Sequence, residues 1–200
     1  MNDQTTLPAL ARARKLGPDG PVVSGIAWGM WRFEGEAHSA QALIEAAFEA
    51  GITLFDTADI YGFNGTDGFG DAEALLGKVL ATAPHLRDKM VLATKGGIMP
   101  PCPYDQSRDY LMKALDASLR RMQVERVDLW QVHRPDLLTH PQELARTLEE
   151  MVTSGKVGAV GISNFTPSHT AALLRYLSIP LASLQPEFSP LQIEPLENGL

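Results

Sequence analysis

The amino-acid sequence predicts an α/β fold: a (β/α)8 barrel of which this chain supplies about six β/α units. Three observations lead there. Short apolar runs alternate with amphipathic stretches from about residue 22 onward. No G-x-G-x-x-G follows the first run, where an open nucleotide-binding sheet would carry it; Arg32-Phe33-Glu34-Gly35-Glu36 stands there instead. Polar residues close nearly every apolar run: Trp31, Asp56 with Tyr61, Lys95, His133, Ser163 with Asn164, and Gln185. Functional groups ringed at strand carboxyl ends mark a barrel, whose active sites form on that face.

The strands are expected at 22–31 (VVSGIAWGMW), 52–57 (ITLFDT), 90–95 (MVLATK), 127–133 (VDLWQVH), 157–163 (VGAVGIS) and 182–188 (ASLQPEF). Each is a nearly continuous apolar run, as parallel strands buried on both faces should be. Helix 39–50 carries the stripe Leu43, Ile44, Ala47, Phe48, with Gly51 as a C-terminal cap. Helix 107–122 begins at Ser107 and carries Leu111, Leu115, Leu119 and Met122. Helix 141–154 carries Leu144, Leu148, Met151 and Val152 and stops at Gly155. After Asn164, Thr166 is an N-cap and Pro167 a first helical residue. Each helix returns the chain to a new parallel strand by a right-handed crossover. The glycine cluster Gly62 to Gly70 (GFNGTDGFG) has the wrong spacing for a phosphate loop and reads as a surface loop.

Composition excludes several classes. With 200 residues and 44% hydrophobic content, the chain can bury one sizeable core, and no composition shift divides residues 1–200 into two domains. A net charge of −7 with no Lys/Arg-rich run argues against nucleic acid and anionic membrane surfaces as partners. The single Cys102, read as unreactive, allows neither an internal disulfide nor a Cys-cluster metal site, so no metal and a reducing cytoplasm are expected. Met1-Asn2-Asp3-Gln4 lacks the features of a signal peptide, and no apolar run reaches the ~18 residues of a membrane span.

Asp56, Tyr61, Lys95 and His133 supply a carboxylate, a proton donor, a cation and an imidazole, each at the end of an apolar strand. That is a kit for moving a proton onto a carbonyl oxygen, and parallel neighbouring strands would bring the four together. Singly, each has a plainer reading: a turn residue at Asp56, a solvated charge at Lys95, a structural histidine at His133, a turn former at Asn164. Asp59 reads as loop structure. An alternative chemistry makes Lys95 a Schiff-base nucleophile in an aldolase-type barrel, which leaves Ser163, Asn164 and Gln185 without a purpose.

Five segments, in this order, carry a resemblance: FDTADIYG, the strand-end Lys95, LWQVHRPD, GKVGAVGISNF and the glutamine of LQPEFSP. From about residue 22 to residue 200 the sequence resembles the aldo-keto reductases. The resemblance implies an oxidoreductase that reduces aldehydes or ketones by hydride transfer from a reduced nicotinamide. Tyr61 would be the general acid. A tyrosine with its reference pKa of about 10 is a weak acid at neutral pH, and a neighbouring ammonium such as Lys95 favours the phenolate. Asp56 would keep that ammonium charged, and a neutral His133 would orient the carbonyl.

The family pattern further implies that Ser163, Asn164 and Gln185 hold the nicotinamide carboxamide. Asp56, Met30 and Trp31 would lie near the cofactor and substrate, and Phe63 and Arg134 would flank the opening. NADP (as NADPH) is preferred on family grounds, with NAD open. The partner is a small carbonyl compound; substrate identity and oligomeric state are not legible. Some relatives are cofactor-binding regulatory subunits, which stands as an alternative. Finally, eight strands and typically ~250 residues close such a barrel. The chain is therefore expected to be the N-terminal portion of a longer protein, incomplete at the C-terminus by roughly 80–120 residues.

Overall fold

A computed structural model describes residues 13–200. Arg14–Lys15 (β1) and Val22–Val23 (β2) pair antiparallel as a small hairpin. Ala27–Gly29 (β3), Leu54–Asp56 (β4) and Val91–Gly96 (β5) begin the main sheet, separated by helices Ala37–Glu49 (α1) and Asp71–Thr82 (α2) and a 3-10 turn at Pro84–Lys89. Ile98–Met99 (β6) and Cys102–Tyr104 (β7) form a second hairpin. Then come Arg108–Met122 (α3), Val127–Val132 (β8), Pro141–Thr153 (α4), Val157–Ser163 (β9), Pro167–Leu174 (α5), Leu181–Gln185 (β10) and the short Glu194–Glu197 (α6).

The main sheet has six parallel strands in the order β10-β9-β8-β5-β4-β3, so consecutive β/α units are spatial neighbours. It is a curled, open part of a (β/α)8 barrel, six strands of the eight, and β3 and β10 are its edges among the described residues. The helices line the outer face, α1 on α2, α2 on α3, α3 on α4 and α4 on α5. One large core fills the space between the two layers, with Phe55, Leu92, Leu111, Leu115, Trp130, Leu148 and Ile162 essentially inaccessible. Among the described residues no helix is long and apolar enough to cross a membrane.

Local chemistry sets the helix ends. Ser107 accepts from the Tyr110 amide, and Thr166 accepts from the His169 amide with Pro167 at the first helical position. Gly51, at φ +81°, donates to Phe48 O while Ile52 donates to Ala47 O, which satisfies the last carbonyls of α1.

Several expectations need correction. The run 22–31 is not one strand: Val22–Val23 pairs with the β1 hairpin, and only Ala27–Gly29 joins the parallel sheet. Ser24 divides them, its Oγ bonding Ile26 O and the Thr53 amide. Leu43 belongs to the exposed side of α1, and Ile44 alone of the proposed stripe is fully buried. Helix α2 escaped the reading because the glycines before it dominate the local pattern. The stretch Gly62 to Gly70 is, as expected, a largely exposed surface loop, and it closes tightly on itself: a Cβ on Gly62 would lie 2.8 Å from Gly68 O and 2.7 Å from Asp71 Cβ. Gly70, at φ +89°, is the N-cap of α2.

Candidate active site

Sheet register brings the strand ends together. Asp56 on β4 lies opposite Ala93, two residues before Lys95; Lys95 lies opposite Gln131 on β8, and Ser163 on β9 lies opposite Gln185 on β10. Side chains alternate along β5, so Thr94 faces the helices while Lys95 faces the carboxyl-end rim. Past the paired residues, Thr57 N and Asp59 N continue the β5 ladder by donating to Ala93 O and Lys95 O. The following turn, closed by Tyr61 N donating to Ala58 O, carries Tyr61 back over Lys95.

Lys95 is 1% exposed, and its Nζ is the hub of the site. It donates to Asp56 Oδ2 at 2.7 Å, to Thr57 O at 2.9 Å and to the Tyr61 hydroxyl at 3.2 Å. An ammonium has three protons, and here all three have acceptors. Nζ also lies 4.9 Å from the Tyr61 ring centroid. Asp56 is satisfied on both oxygens: Oδ2 accepts from Gln185 Nε2 at 3.1 Å as well, and Oδ1 accepts from Gln131 Nε2 at 3.1 Å. A buried ion pair is tenable only with such full hydrogen bonding. The same bonds weigh against a Schiff-base role, which needs a free amine lone pair on Lys95.

His133 meets Tyr61 edge to face, with ring centroids 5.7 Å apart. Burial, then the Lys95 and Arg134 cations, pushes its pKa down to about 3, so the imidazole is neutral at physiological pH. Its Nδ1 is buried without a hydrogen-bond partner among the described residues. Tyr61 and His133 form one wall of an open cleft of about 370 Å³, completed by Trp31, Ile60, Phe63, Ile98 and Arg134. Trp31 is 65% exposed, and the Arg32 guanidinium stacks over it at 5.2 Å. Met30 does not line this cleft: it is fully buried in the core, with its amide on Asp56 O.

The candidate cofactor residues form one chain of bonds. Ser163 Oγ donates to Gln185 O at 2.9 Å, and Asn164 Nδ2 donates to Ser163 Oγ at 2.8 Å and to His133 O at 3.2 Å. Asn164 has φ +60°, in the left-handed region. Among the described residues, Asn164 Oδ1 and Gln185 Oε1 make no hydrogen bond. Two open acceptors on a rim fit the NH2 group of a carboxamide. Asn164 and Arg134 also border a second cleft of about 250 Å³, so Arg134 lies between the two.

Sequence reasoning missed Gln131, which is 2% exposed and bridges Asp56 to Ser183 by accepting from Ser183 Oγ at 3.0 Å. Its signal was present: a glutamine inside an apolar run needs a polar partner. It also missed the Thr57 carbonyl, which no side-chain pattern reveals.

Comparison with known proteins fits this geometry. The model of the aldo/keto reductase family matches residues 25–198. The chain is 58% identical over 196 residues to a 6-dehydroglucose reductase of Novosphingobium aromaticivorans, covering 96% of this chain and 64% of that protein. It is 40% identical to a 6-dehydroglucose reductase of Agrobacterium fabrum, covering 88% of this chain and 62% of that one. Among solved structures, a glycerol dehydrogenase from Gluconobacter oxydans superposes with a TM-score of 0.80 at 31% identity, over 96% of this chain and 59% of that one. A holo aldo-keto reductase from Bacillus halodurans gives 0.80 at 28% identity, over 94% and 61%. The chain thus spans less than two thirds of the length of each of these proteins. It belongs to the aldo-keto reductase family.

Proposed function

We propose that the protein reduces a small aldehyde or ketone to an alcohol with a reduced nicotinamide, NADPH by family preference and NADH as the alternative. One observation carries the reading: buried Lys95 Nζ stands between Asp56 Oδ2 at 2.7 Å and the hydroxyl of Tyr61 at 3.2 Å, and Tyr61 lines a cleft together with a neutral His133. The nicotinamide, when bound, supplies the hydride that no side chain can. Ser163, Asn164 and Gln185 are the residues suited to hold its carboxamide.

The rest falls to the chain itself. Tyr61 gives its hydroxyl proton to the carbonyl oxygen, and in alcohol oxidation takes it back. Lys95 stabilises the negative charge left on the Tyr61 oxygen by a charge-assisted hydrogen bond. Asp56, held by Gln131 and Gln185, keeps Lys95 charged although it is buried. The neutral His133 donates a hydrogen bond to the carbonyl oxygen and turns the substrate toward Tyr61. Trp31, Phe63 and Arg134 contact the remainder of the substrate. An open cleft bordered by an aromatic and a guanidinium suits a hydroxylated compound, and the two relatives named 6-dehydroglucose reductase support a sugar-derived carbonyl. The acidic charge and single cysteine suit the cytoplasm.

The test uses the full-length protein with NADPH or NADH and a panel of aldehydes and ketones that includes sugar carbonyls. Absorbance of the reduced nicotinamide should fall with turnover. In Tyr61→Phe the cofactor should bind as before while kcat drops by ~10²–10⁴, the worth of a positioned general acid. Near-parental reduction by that variant would sink the assignment, and cofactor binding without any turnover would point to a regulatory subunit.

A further inference from the structure

Behind Lys95, on the outer face of β5, lies a second group of buried charges that the proposed reaction does not use. Glu73 of α2 is fully buried: its Oε1 accepts from Thr94 Oγ1 at 2.5 Å, and its Oε2 accepts from Arg121 Nε at 2.7 Å and Nη2 at 2.6 Å. Asp59, from the turn that carries Tyr61, is 1% exposed in the same space. It packs against β5 at Gly96, where an added Cβ would lie 3.2 Å from Asp59 Oδ2 and 2.9 Å from Trp130 Cζ2. Neither Asp59 oxygen has a hydrogen-bond partner among the described residues.

Charge balance at this end of β5 is therefore uneven. The carboxyl groups are Asp56, Asp59 and Glu73; the cations facing them are Lys95 and Arg121. Lys95 is taken by Asp56 and Arg121 by Glu73, which leaves Asp59 with no counter-ion among the described residues. An ionised carboxylate in that position would be desolvated and uncompensated, which costs far more than keeping its proton. The groups facing Asp59 are Glu73 from α2, Arg121 and Tyr110 from α3, and Lys95 from β5. Burial first, then the Glu73 charge, holds the Asp59 carboxyl well above the usual carboxylate range, against the smaller opposing pull of Arg121, the Ile60 amide and Lys95. The Ile60 amide falls short of a formed hydrogen bond. The Tyr110 phenol is pushed up as well, mainly by its own burial, and gives its hydrogen bond to Ile98 O.

We propose that Asp59 is a positioning residue held as a neutral carboxylic acid, which fixes the Ile60–Tyr61 turn from behind and leaves Asp56 the sole negative charge paired with Lys95. Its backbone amide on Lys95 O, at 3.0 Å, ties that turn to β5, and its neutral side chain fills the space beneath. A protonated carboxyl in an apolar site has catalytic precedent. The positioning role rests on the reading of Tyr61 as the acid; the protonation state does not.

The test combines a direct and a kinetic measurement on the full-length protein. Infrared spectra at neutral pH should contain a protonated-carboxyl band that shifts with 13C-aspartate labelling and disappears in Asp59→Asn. Glu73→Gln, which frees Arg121, should move the titration of that band to lower pH; this arm stands even if Asp59→Asn does not fold. Absence of the band, its survival in Asp59→Asn, or an unmoved midpoint in Glu73→Gln would overturn the proposal. In kinetics, Asp59→Ala should lower kcat by about tenfold or more, as a slight misplacement of a reacting group does, with cofactor affinity kept. Asp59→Asn, neutral and of the same shape, should restore most of it. Parental kcat in the alanine variant, or an asparagine variant as poor as alanine, would refute the positioning role. Should Tyr61→Phe prove fully active, the functional reading falls while the infrared result still decides the proton on Asp59.

Discussion

Two ion pairs lie at opposite ends of β5, one formed by the segment that leads into it and one by the strand itself. At the amino end, Arg87 meets Asp128 of β8 at 2.9 Å; at the carboxyl end, Lys95 meets Asp56 of β4 at 2.7 Å. The bond lengths are alike, and so is the use of backbone: Asp128 Oδ2 also accepts from Leu92 N at 2.8 Å, and Lys95 also donates to Thr57 O at 2.9 Å. Water separates them. Arg87 and Asp128 are 24% and 27% exposed, Lys95 and Asp56 only 1% and 8%. Solvent screens the first pair to a small net value. At the second, every donor and acceptor has been satisfied by protein, so the charge acts at close range on a neighbouring hydroxyl. Barrels as a class divide their labour in the same way, stability at the amino face and chemistry at the carboxyl face.

The most disruptive way to break this contrast is Lys95→Met. It leaves Asp56 buried with amide partners only, and stability to denaturant should fall by ~3–5 kcal/mol, the cost of stranding one member of a buried pair. Turnover of the folded variant should fall as far as in Tyr61→Phe. A stable, active methionine variant would show that the buried pair is not what drives the chemistry.

A smaller effect is expected from the rim. Gln185→Ala and Asn164→Ala should each weaken cofactor binding by about 1–3 kcal/mol, with adenine-side fragments bound as before. Because Asn164 has φ +60°, Asn164→Gly keeps the backbone shape and isolates the amide's share. Titration calorimetry on the three variants would separate strain from recognition, and parental affinity in all of them would remove the carboxamide assignment.

The neutral His133 makes a pH prediction. Its folded-state pKa of about 3 lies below the ordinary 6.5, so on acidification the unfolded chain takes up this proton first. The His133 contribution is therefore fully present above pH 6.5 and lost progressively as pH falls toward about 3. Denaturant midpoints of His133→Gln should follow pH less steeply than the parent's across that window. Equal slopes would mean that the ring is already charged in the folded protein.

Least of all should come from the amino end. Arg87→Ala is expected to cost up to ~1 kcal/mol and to leave turnover unchanged. A loss comparable to that of Lys95→Met would mean that burial does not distinguish the two ends.

Much of this molecule is legible in one dimension because its strands are buried on both faces and its helices on one. Val91–Gly96, Val127–Val132 and Val157–Ser163 stand out as nearly continuous apolar runs, and Thr166-Pro167 opens its helix where its chemistry says it should. Those periodicities, with right-handed crossovers, already order the six parallel strands. They also set Asp56, Lys95 and His133 at neighbouring strand ends, with Tyr61 in the turn that follows Asp56.

Partnership is another matter, because it depends on register and on which face a side chain takes. Val22–Val23 is as apolar as any core strand, yet it pairs with Arg14–Lys15 because Ser24 bonds Thr53 and turns the chain before Ala27. Gln131 reaches Asp56 only because β8 lies beside β5 with Gln131 opposite Lys95. Asp59 reads as a loop residue until α2 and α3 close over it, and the cation that could have neutralised it is already bonded to Glu73. Burial propensity is written residue by residue in a sequence. Which charge meets which, and which is left to keep its proton, is settled only when distant segments share one dry space.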